Sequence, residues 1–181
     1  ILPMLLPDLS DDERLQIQII RDIAGLTPAD ERPFRTPHHS ASLAGLIGGT
    51  SRALPGEITL AHCGVLFLDE LPEFKREVLE TLRQPLESGE VTVVRAGVTH
   101  SYPARFQLIA AMNPCPCGYL TSTTTNCRCS ATAIQRYQSR LSGPLMDRFD
   151  LYATLNRIDT ALILKKHGEQ LDITALQRET A

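Results

Sequence analysis

The sequence predicts an α/β fold in which a parallel sheet is flanked by helices. Two apolar segments, 64–68 and 106–112, are too short for buried helices and have the composition of strands covered on both faces. Each ends in polar residues, Asp69-Glu70 after the first and Asn113 after the second. The chain between them is long enough for a helix and a hairpin, so a right-handed parallel crossover can join the two strands.

Length and composition restrict the class of protein. The 181 residues suffice for one domain with a core, and 43% hydrophobic with 22% charged residues is ordinary for a soluble globular protein. The net charge of −3 provides no overall positive charge for binding nucleic acid, although a local basic element is not excluded. No apolar run reaches the roughly 18 residues of a membrane span. The sequence does not begin with Met, and we expect it to be a segment of a longer protein.

Capping signals and apolar periodicity predict the remaining elements. Helices are expected at about 11–24, 41–47, 73–88 and 131–141. Extended segments are expected at 57–60, 91–95, 98–102 and 151–155, the middle two forming a hairpin. Ser10 and Glu13 form a capping box for the first helix, Ser40 is expected to cap the second, and Pro85 is expected to kink or end the third. A last short helix, capped by Asp159 or Thr160, is expected before Gly168.

The main functional signal is the pair of acids, Asp69 and Glu70, at the carboxyl end of the first buried strand. Ligands of open α/β sheets bind at that edge. P-loop ATPases place a Walker B element there, in which the Asp holds Mg²⁺ and the Glu polarises the water that attacks the γ-phosphate. The alternative is an acid that caps a helix opening at 71–73. A Walker A pattern is missing because no Gly-Lys occurs, so we expect the nucleotide-binding loop to lie upstream of Ile1.

Four of the five cysteines form two Cys-x-Cys pairs on either side of a nine-residue loop: Cys115, Cys117, Cys127 and Cys129. Four thiolates suffice for a closed tetrahedral Zn²⁺ site, and since such a site has no open position we predict a structural ion. Clustered cysteines also favour a reducing compartment, and we expect the cytoplasm. Free thiols, or disulfides formed in air, are the alternatives.

Two adjacent histidines, His38 and His39, lie in a segment rich in proline and arginine. Neighbouring side chains diverge on any regular element, so such a pair seldom chelates one metal ion. Contact with a phosphate, including that of DNA, or with an acid is favoured.

Five long motifs together resemble the ComM/YifB family of AAA+ ATPases, which are related to the I subunit of magnesium chelatase. The motifs are residues 32–40, 55–62, 64–74, 105–118 and 140–151, and the resemblance covers about residues 10–151. It implies a partial AAA+ P-loop ATPase core with a β-hairpin insertion before sensor 1.

The same resemblance divides the chain. It implies that residues 1–156 are the partial core, running from Walker B to the arginine finger, and that 157–181 begin a C-terminal helical segment or tail. Residues 32–55 would be the insertion in the second helix of this clade, and 91–103 the hairpin before sensor 1. Both would project toward the central pore of a ring. The cysteine cluster over 115–129 places the chain on the ComM side of the relationship.

The resemblance also assigns catalytic roles. Asp69 and Glu70 match Walker B, with Asp69 holding the Mg²⁺ of bound ATP, and Asn113 matches sensor 1, which orients the attacking water. Arg148 matches the arginine finger that acts on the nucleotide of the neighbouring subunit. An ion pair of Arg148 with a neighbouring acid, Asp147 or Asp150, is the alternative.

The implied function is that of a DNA motor. It would be a homo-oligomeric ring, expected to be a hexamer, that couples ATP hydrolysis to translocation or branch migration on single-stranded or branched DNA in recombination or natural transformation. Arg95 at the hairpin turn would then contact a phosphate backbone, unless it is simply an exposed turn residue. The other hypothesis is chelatase-like or chaperone-like remodelling of a protein partner. Without a Walker A loop the segment alone is expected to be inactive.

Overall fold

A parallel three-stranded sheet forms the centre of the computed structural model, which describes residues 5–49, 53–95, 98–122 and 124–155. The strands are β1 (Phe34–Arg35), β2 (Val65–Leu68), β3 (Glu90–Arg95), β4 (Val98–Pro103) and β5 (Gln107–Ala110). The sheet has the order β1-β2-β5, with both pairs parallel and Val65 opposite Gln107. The prediction that the two apolar segments form neighbouring parallel strands is confirmed.

Seven short helices surround the sheet in the described part of the chain. They are α1 (Asp11–Ile23), α2 (Leu43–Ile47), α3 (Glu57–Leu60), α4 (Arg76–Glu80), α5 (Arg83–Ser88), α6 (Ala131–Gln138) and α7 (Gly143–Met146). The capping box of α1 is present, since the Ser10 hydroxyl accepts from the Glu13 amide and the Glu13 carboxylate accepts from the Ser10 amide. No helix of the described residues has the length and apolar character to cross a membrane.

The start of α2 and the nature of 57–60 were predicted wrongly. Ser42, not Ser40, caps α2, because the chain turns at Ser40 and the Ala41 amide donates to the His38 carbonyl. Residues 57–60 form the helix α3 rather than an extended segment. Its adjacent residues Ile58 and Thr59 are both fully buried, so burial on two neighbouring faces overrides the β-branched composition.

The helix predicted over 73–88 is interrupted. A 3₁₀ turn at Leu71–Glu73 precedes α4, and α4 and α5 are separated at Thr81 and Leu82. Pro85 explains this break, because its ring lacks an N–H and clashes with the carbonyl four residues earlier, which is that of Thr81. Gly89, with φ +71°, ends α5.

The third strand of the sheet was predicted in the wrong place. Residues 151–155 have no regular structure, and Leu151 and Leu155 are each 90% exposed. The Tyr152 hydroxyl donates to the Met146 carbonyl, so this segment folds back on α7 instead of joining the sheet. The third strand is β1, whose two residues are too few to give a periodic signal. The helix predicted after Asp159 and the segment 157–181 lie outside the described residues.

An apolar core lies between the sheet, the hairpin and the helices. Its fully buried side chains include Leu46, Ile58, Leu66, Leu68, Leu82 and Leu145. The predicted hairpin is confirmed: β3 and β4 pair antiparallel, with Val91 and Val93 facing the core and Val94 exposed. Burial of Leu145 also holds α7 against the core, which fixes the position of the chain that follows it.

Candidate nucleotide and metal site

The parallel strands β2 and β5 bring the sequence-predicted acids and asparagine to one edge of the sheet. The Ala111 amide donates to the Leu68 carbonyl over 2.9 Å, and the Leu71 amide donates to the Ala111 carbonyl over 3.0 Å. These bonds continue the strand pairing beyond both strands. They hold the Asp69-Glu70 turn beside the segment that leads to Asn113.

The two acids are exposed and do not cap a helix. Within the described residues, the Asp69 carboxylate accepts a hydrogen bond only from the next amide, that of Glu70, over 2.8 Å. Glu70 precedes the 3₁₀ turn but makes no side-chain capping bond to it. Glu70 has φ +52° and ψ +45°, a left-handed conformation that costs a residue with a Cβ roughly 1–2 kcal/mol. A strained turn that leaves two carboxylates uncommitted to capping favours a functional role for them.

The histidine pair lies against Glu70. The Nδ1 atom of His39 is 3.1 Å from Oε2 of Glu70, and its ring meets Phe74 edge-on with centroids 6.4 Å apart. His38 lies against His39, with ring centroids 4.0 Å apart, and its Nδ1 is 2.8 Å from the Ser40 hydroxyl. An acid was one of the two partners predicted for this pair.

Helix α6 supports the backbone at Asn113. Tyr137 is 6% exposed, and burial together with the charge of Glu73 raises the pKa of its phenol, while a hydrogen bond with the Asn113 backbone opposes that rise. Gln138 donates to the Pro114 carbonyl over 3.2 Å. Neither supporting residue was expected from the sequence. Tyr137 is the sole aromatic residue of the predicted helix 131–141, and this was the signal that could have identified it.

The end of α6 is also tied to the turn after the acids. Arg140 donates to the Pro72 carbonyl over 3.0 Å and to the Glu73 carboxylate over 2.8 Å. Helix α6 and the residues directly after it therefore hold both the turn that follows Glu70 and the backbone at Asn113.

Arg148 is paired within its own chain, although not with either acid considered from the sequence. Its guanidinium donates to the carboxylate of Glu87 on α5 rather than to Asp147 or Asp150. The hydrogen bond and charge of this pair lower the pKa of Glu87 and raise the pKa of Arg148. Arg95 ends β3 opposite Val98, beside the exposed Val94.

The four cysteines of the predicted metal site come together. Their sulfur atoms all lie within 4.8 Å of one another, with Cys115 3.4 Å from Cys117 and 3.7 Å from Cys127. These separations far exceed the roughly 2.05 Å of a disulfide bond. A tetrahedron with zinc–sulfur bonds of about 2.3 Å has edges of about 3.8 Å between sulfur atoms, so the cluster has nearly the size that zinc requires.

The pKa values of the cluster differ from thiol to thiol. Burial and hydrogen bonds with the other thiols raise the pKa of Cys127 to about 12, and a hydrogen bond with Cys117 raises the pKa of Cys129. Backbone hydrogen bonds from Tyr119 and Arg128 lower the pKa of the Cys117 thiol to about 6. The Cys129 amide donates to the sulfur of Cys127 over 3.4 Å. Because the thiolate is the form that binds metal ions, these donors suit a metal site, and the four cysteines are chemically able to hold one ion.

Comparison with known proteins identifies similar sequences. Residues 1–163 match the family described as magnesium chelatase, subunit ChlI. The chain is 52% identical over 151 residues to the competence protein ComM of Haemophilus influenzae and 51% identical over the same length to YifB of Escherichia coli. A more distant similarity, 24% identity over 155 residues, is to the DNA replication licensing factor Mcm6 of Drosophila melanogaster.

These matches cover much of the chain but a small part of the relatives. The aligned region is 81% of this chain in all three cases. It is 29% of ComM and of YifB, and 17% of Mcm6. The chain thus spans less than a third of the length of each of these three relatives.

Proposed function

Because the chain belongs to the magnesium chelatase ChlI family of AAA+ proteins, and resembles its ComM/YifB members as predicted, we propose that it forms part of an ATP-hydrolysing motor. The observation that carries the proposal is the edge formed by β2 and β5. There Asp69 and Glu70 lie beside the segment leading to Asn113, joined through the Leu71–Ala111 hydrogen bond.

The proposed roles follow from the chemistry of these groups. Asp69 would hold the Mg²⁺ ion, which when bound neutralises charge on the phosphates of ATP. Glu70 polarises the attacking water, and Asn113 orients that water through its amide. No Gly-Lys pair occurs among the 181 residues, so these residues account for the proposed hydrolytic groups and not for a Walker A phosphate-binding loop.

Arg148 is proposed to complete the site of a neighbouring subunit. A cation that reaches the γ-phosphate across an interface stabilises the charge of phosphoryl transfer. The partly exposed Arg148 is held by Glu87, a contact that must break or rearrange when the arginine engages nucleotide. This role requires a ring of identical subunits, and we propose a hexamer.

The substrate we propose is single-stranded or branched DNA, moved by translocation or branch migration during recombination or natural transformation. Support comes from two relatives, one named a competence protein and the other a DNA replication licensing factor. Arg95 at the hairpin turn is the first candidate for contact with a DNA phosphate. His38 and His39 are secondary candidates, because His39 already contacts Glu70.

ATP hydrolysis by the full-length protein, measured with and without DNA, tests this function. We expect single-stranded or branched DNA to stimulate hydrolysis, with binding that weakens steeply as salt is raised. The Arg95→Gln variant should lose part of that salt dependence, and Glu70→Gln provides a hydrolysis-deficient control. ATPase activity that ignores every DNA but responds to a protein partner would instead support chelatase-like or chaperone-like remodelling.

We also propose that the cysteine cluster holds one structural Zn²⁺ ion. Four thiolates leave no open coordination position, so the ion would contribute folding energy rather than chemistry. Reduced thiols are consistent with the cytoplasm, where we expect the protein to act. Elemental analysis of protein purified without chelator should give close to one zinc per chain. Zinc-free protein with four reactive thiols would refute the site.

A further inference from the structure

The cysteine cluster begins two residues after Asn113 and is folded against it. Cys115, the buried member of the cluster, accepts a hydrogen bond at its carbonyl from the Gly118 amide over 3.0 Å. This tight turn returns the chain to Asn113. A Cβ atom at Gly118 would lie 3.6 Å from Oδ1 of Asn113, so the asparagine side chain lies directly over the turn that carries the first two cysteines.

The other end of the cluster leads into the helix that supports Asn113. Cys129 is followed at once by Ser130, whose hydroxyl caps α6 by accepting from the Ala133 amide over 3.2 Å. Gln138 of that helix donates to the Pro114 carbonyl, and Tyr137 lies against the backbone of Asn113. The cluster therefore joins the two chain segments that hold Asn113, one on each side.

The chain between the two cysteine pairs has little apolar packing of its own. Of the four cysteines only Cys115 is buried, and the described residues of 118–126 are half-buried or exposed. Asn113 is itself exposed. Hydrophobic burial can therefore do little to fix this segment, and coordination of an ion by four thiolates is the strongest available restraint.

We propose that zinc bound by Cys115, Cys117, Cys127 and Cys129 positions Asn113 for ATP hydrolysis, which makes the cluster a positioning site for the catalytic edge. The inference rests on the proposed role of Asn113 in orienting water. It predicts that loss of the ion impairs the chemical step while nucleotide binding, which depends on the phosphate-binding loop, is retained.

The test uses the full-length protein with Cys127→Ser, and with Cys63→Ser as the matched control. Cys63, the fifth cysteine, lies at the opposite end of β2 and outside the cluster. Zinc content, kcat and KM for ATP, and amide hydrogen exchange of residues 111–113 are measured for each. We expect Cys127→Ser to lose zinc, to lower kcat about 10- to 100-fold with little change in KM, and to speed exchange at 111–113. Cys63→Ser should match the wild type.

Two further variants separate positioning from general damage to the fold. Cys127→His can complete a Cys₃His site, so it should keep zinc and recover most of kcat. In an Asn113→Ala background, Cys127→Ser should cause no further loss of kcat, because the group it positions is already absent. Losses that multiply in the double variant would mean a general effect on the fold and would overturn the inference.

The outcomes also separate this inference from the proposed function. If Asn113→Ala lowers kcat but zinc-free Cys127→Ser protein hydrolyses ATP at the wild-type rate, the positioning inference fails and the role of Asn113 stands. If Asn113→Ala leaves kcat unchanged, the role of Asn113 fails, and the inference fails with it. Where Cys127→Ser does not fold, the exchange rates and kcat of Cys127→His with and without bound zinc decide the question.

Discussion

The Nδ1 atom of His39 lies 3.1 Å from Oε2 of Glu70, the carboxylate that we propose polarises the attacking water. The two residues come from different parts of the chain, His39 from the segment after β1 and Glu70 from the turn after β2. With one carboxylate oxygen held by the imidazole, the other stays available for a water molecule. His39 can therefore fix the orientation of a side chain that is otherwise half exposed.

Replacing His39 tests whether this contact assists hydrolysis. We expect His39→Ala to lower kcat about 10-fold at nearly constant KM, because the freed Glu70 side chain can rotate away from the water. His39→Gln, which retains a donor, should keep most of the rate. His38→Ala is the matched control, since His38 bonds Ser40 and not Glu70. A His39→Ala rate above the wild type would show instead that the contact holds Glu70 away from water.

Replacing Glu70 should separate nucleotide binding from hydrolysis. Glu70→Gln has the same shape but a much weaker base, so kcat in the full-length protein should fall about 10²- to 10⁴-fold. The affinity for ATP, measured by equilibrium titration, should stay within a few-fold of the wild type. Equal losses of affinity and rate would contradict the assignment of Glu70 as the water-polarising group.

The Arg148–Glu87 pair offers an internal control for the arginine finger. Arg148→Ala should lower kcat about 10³- to 10⁵-fold if the arginine stabilises the transition state in a neighbouring subunit. Glu87→Gln breaks the same pair but leaves the guanidinium free, so hydrolysis should be retained. Rings assembled from Glu70→Gln and Arg148→Ala subunits should regain some activity. No recovery in intact mixed rings would count against action between subunits.

Buried His62 should make stability depend on pH. Burial, and then the charge of Arg105, lower the pKa of this imidazole. Its Nδ1 atom accepts a hydrogen bond from the Arg105 amide over 3.1 Å, and its Nε2 atom is 2.8 Å from Oε1 of Gln16. The unfolded chain binds a proton on this imidazole more readily than the folded chain does. The stabilisation that neutral His62 gives the folded state is therefore complete above the unfolded pKa of about 6.5. It is lost progressively as the pH falls from there toward the folded pKa.

Thermal unfolding between pH 8 and pH 5, roughly the range spanning that unfolded pKa, checks this prediction. The wild type should lose stability on acidification more steeply than His62→Gln, which cannot be protonated. His100→Gln, on the exposed strand β4, should follow the wild type. Parallel pH profiles for the wild type and His62→Gln would contradict it.

Local signals in the sequence were sufficient to predict much of the fold of this protein. Four adjacent apolar residues defined β2, the Ser10–Glu13 box defined the start of α1, and β-branched residues around a glycine defined the hairpin. The edge that carries Asp69, Glu70 and Asn113 could be expected because parallel strands end on the same side of a sheet. Each of these features depends on residues close in the chain or on a general rule of topology.

The contacts that complete the site were decided by the tertiary structure. His39 meets Glu70, Arg148 meets Glu87 and Tyr137 meets Asn113 across separations of 31, 61 and 24 residues, as the residue numbers give directly. The predictions for two short segments, 57–60 and 151–155, were wrong for a related reason. Residues 57–60 are helical because both faces are buried, and 151–155 do not form a strand because no strand in the described part of the chain pairs with them. In a segment of four or five residues, intrinsic conformational preference contributes little free energy. Burial and strand pairing, which depend on the folded chain, therefore determine its conformation.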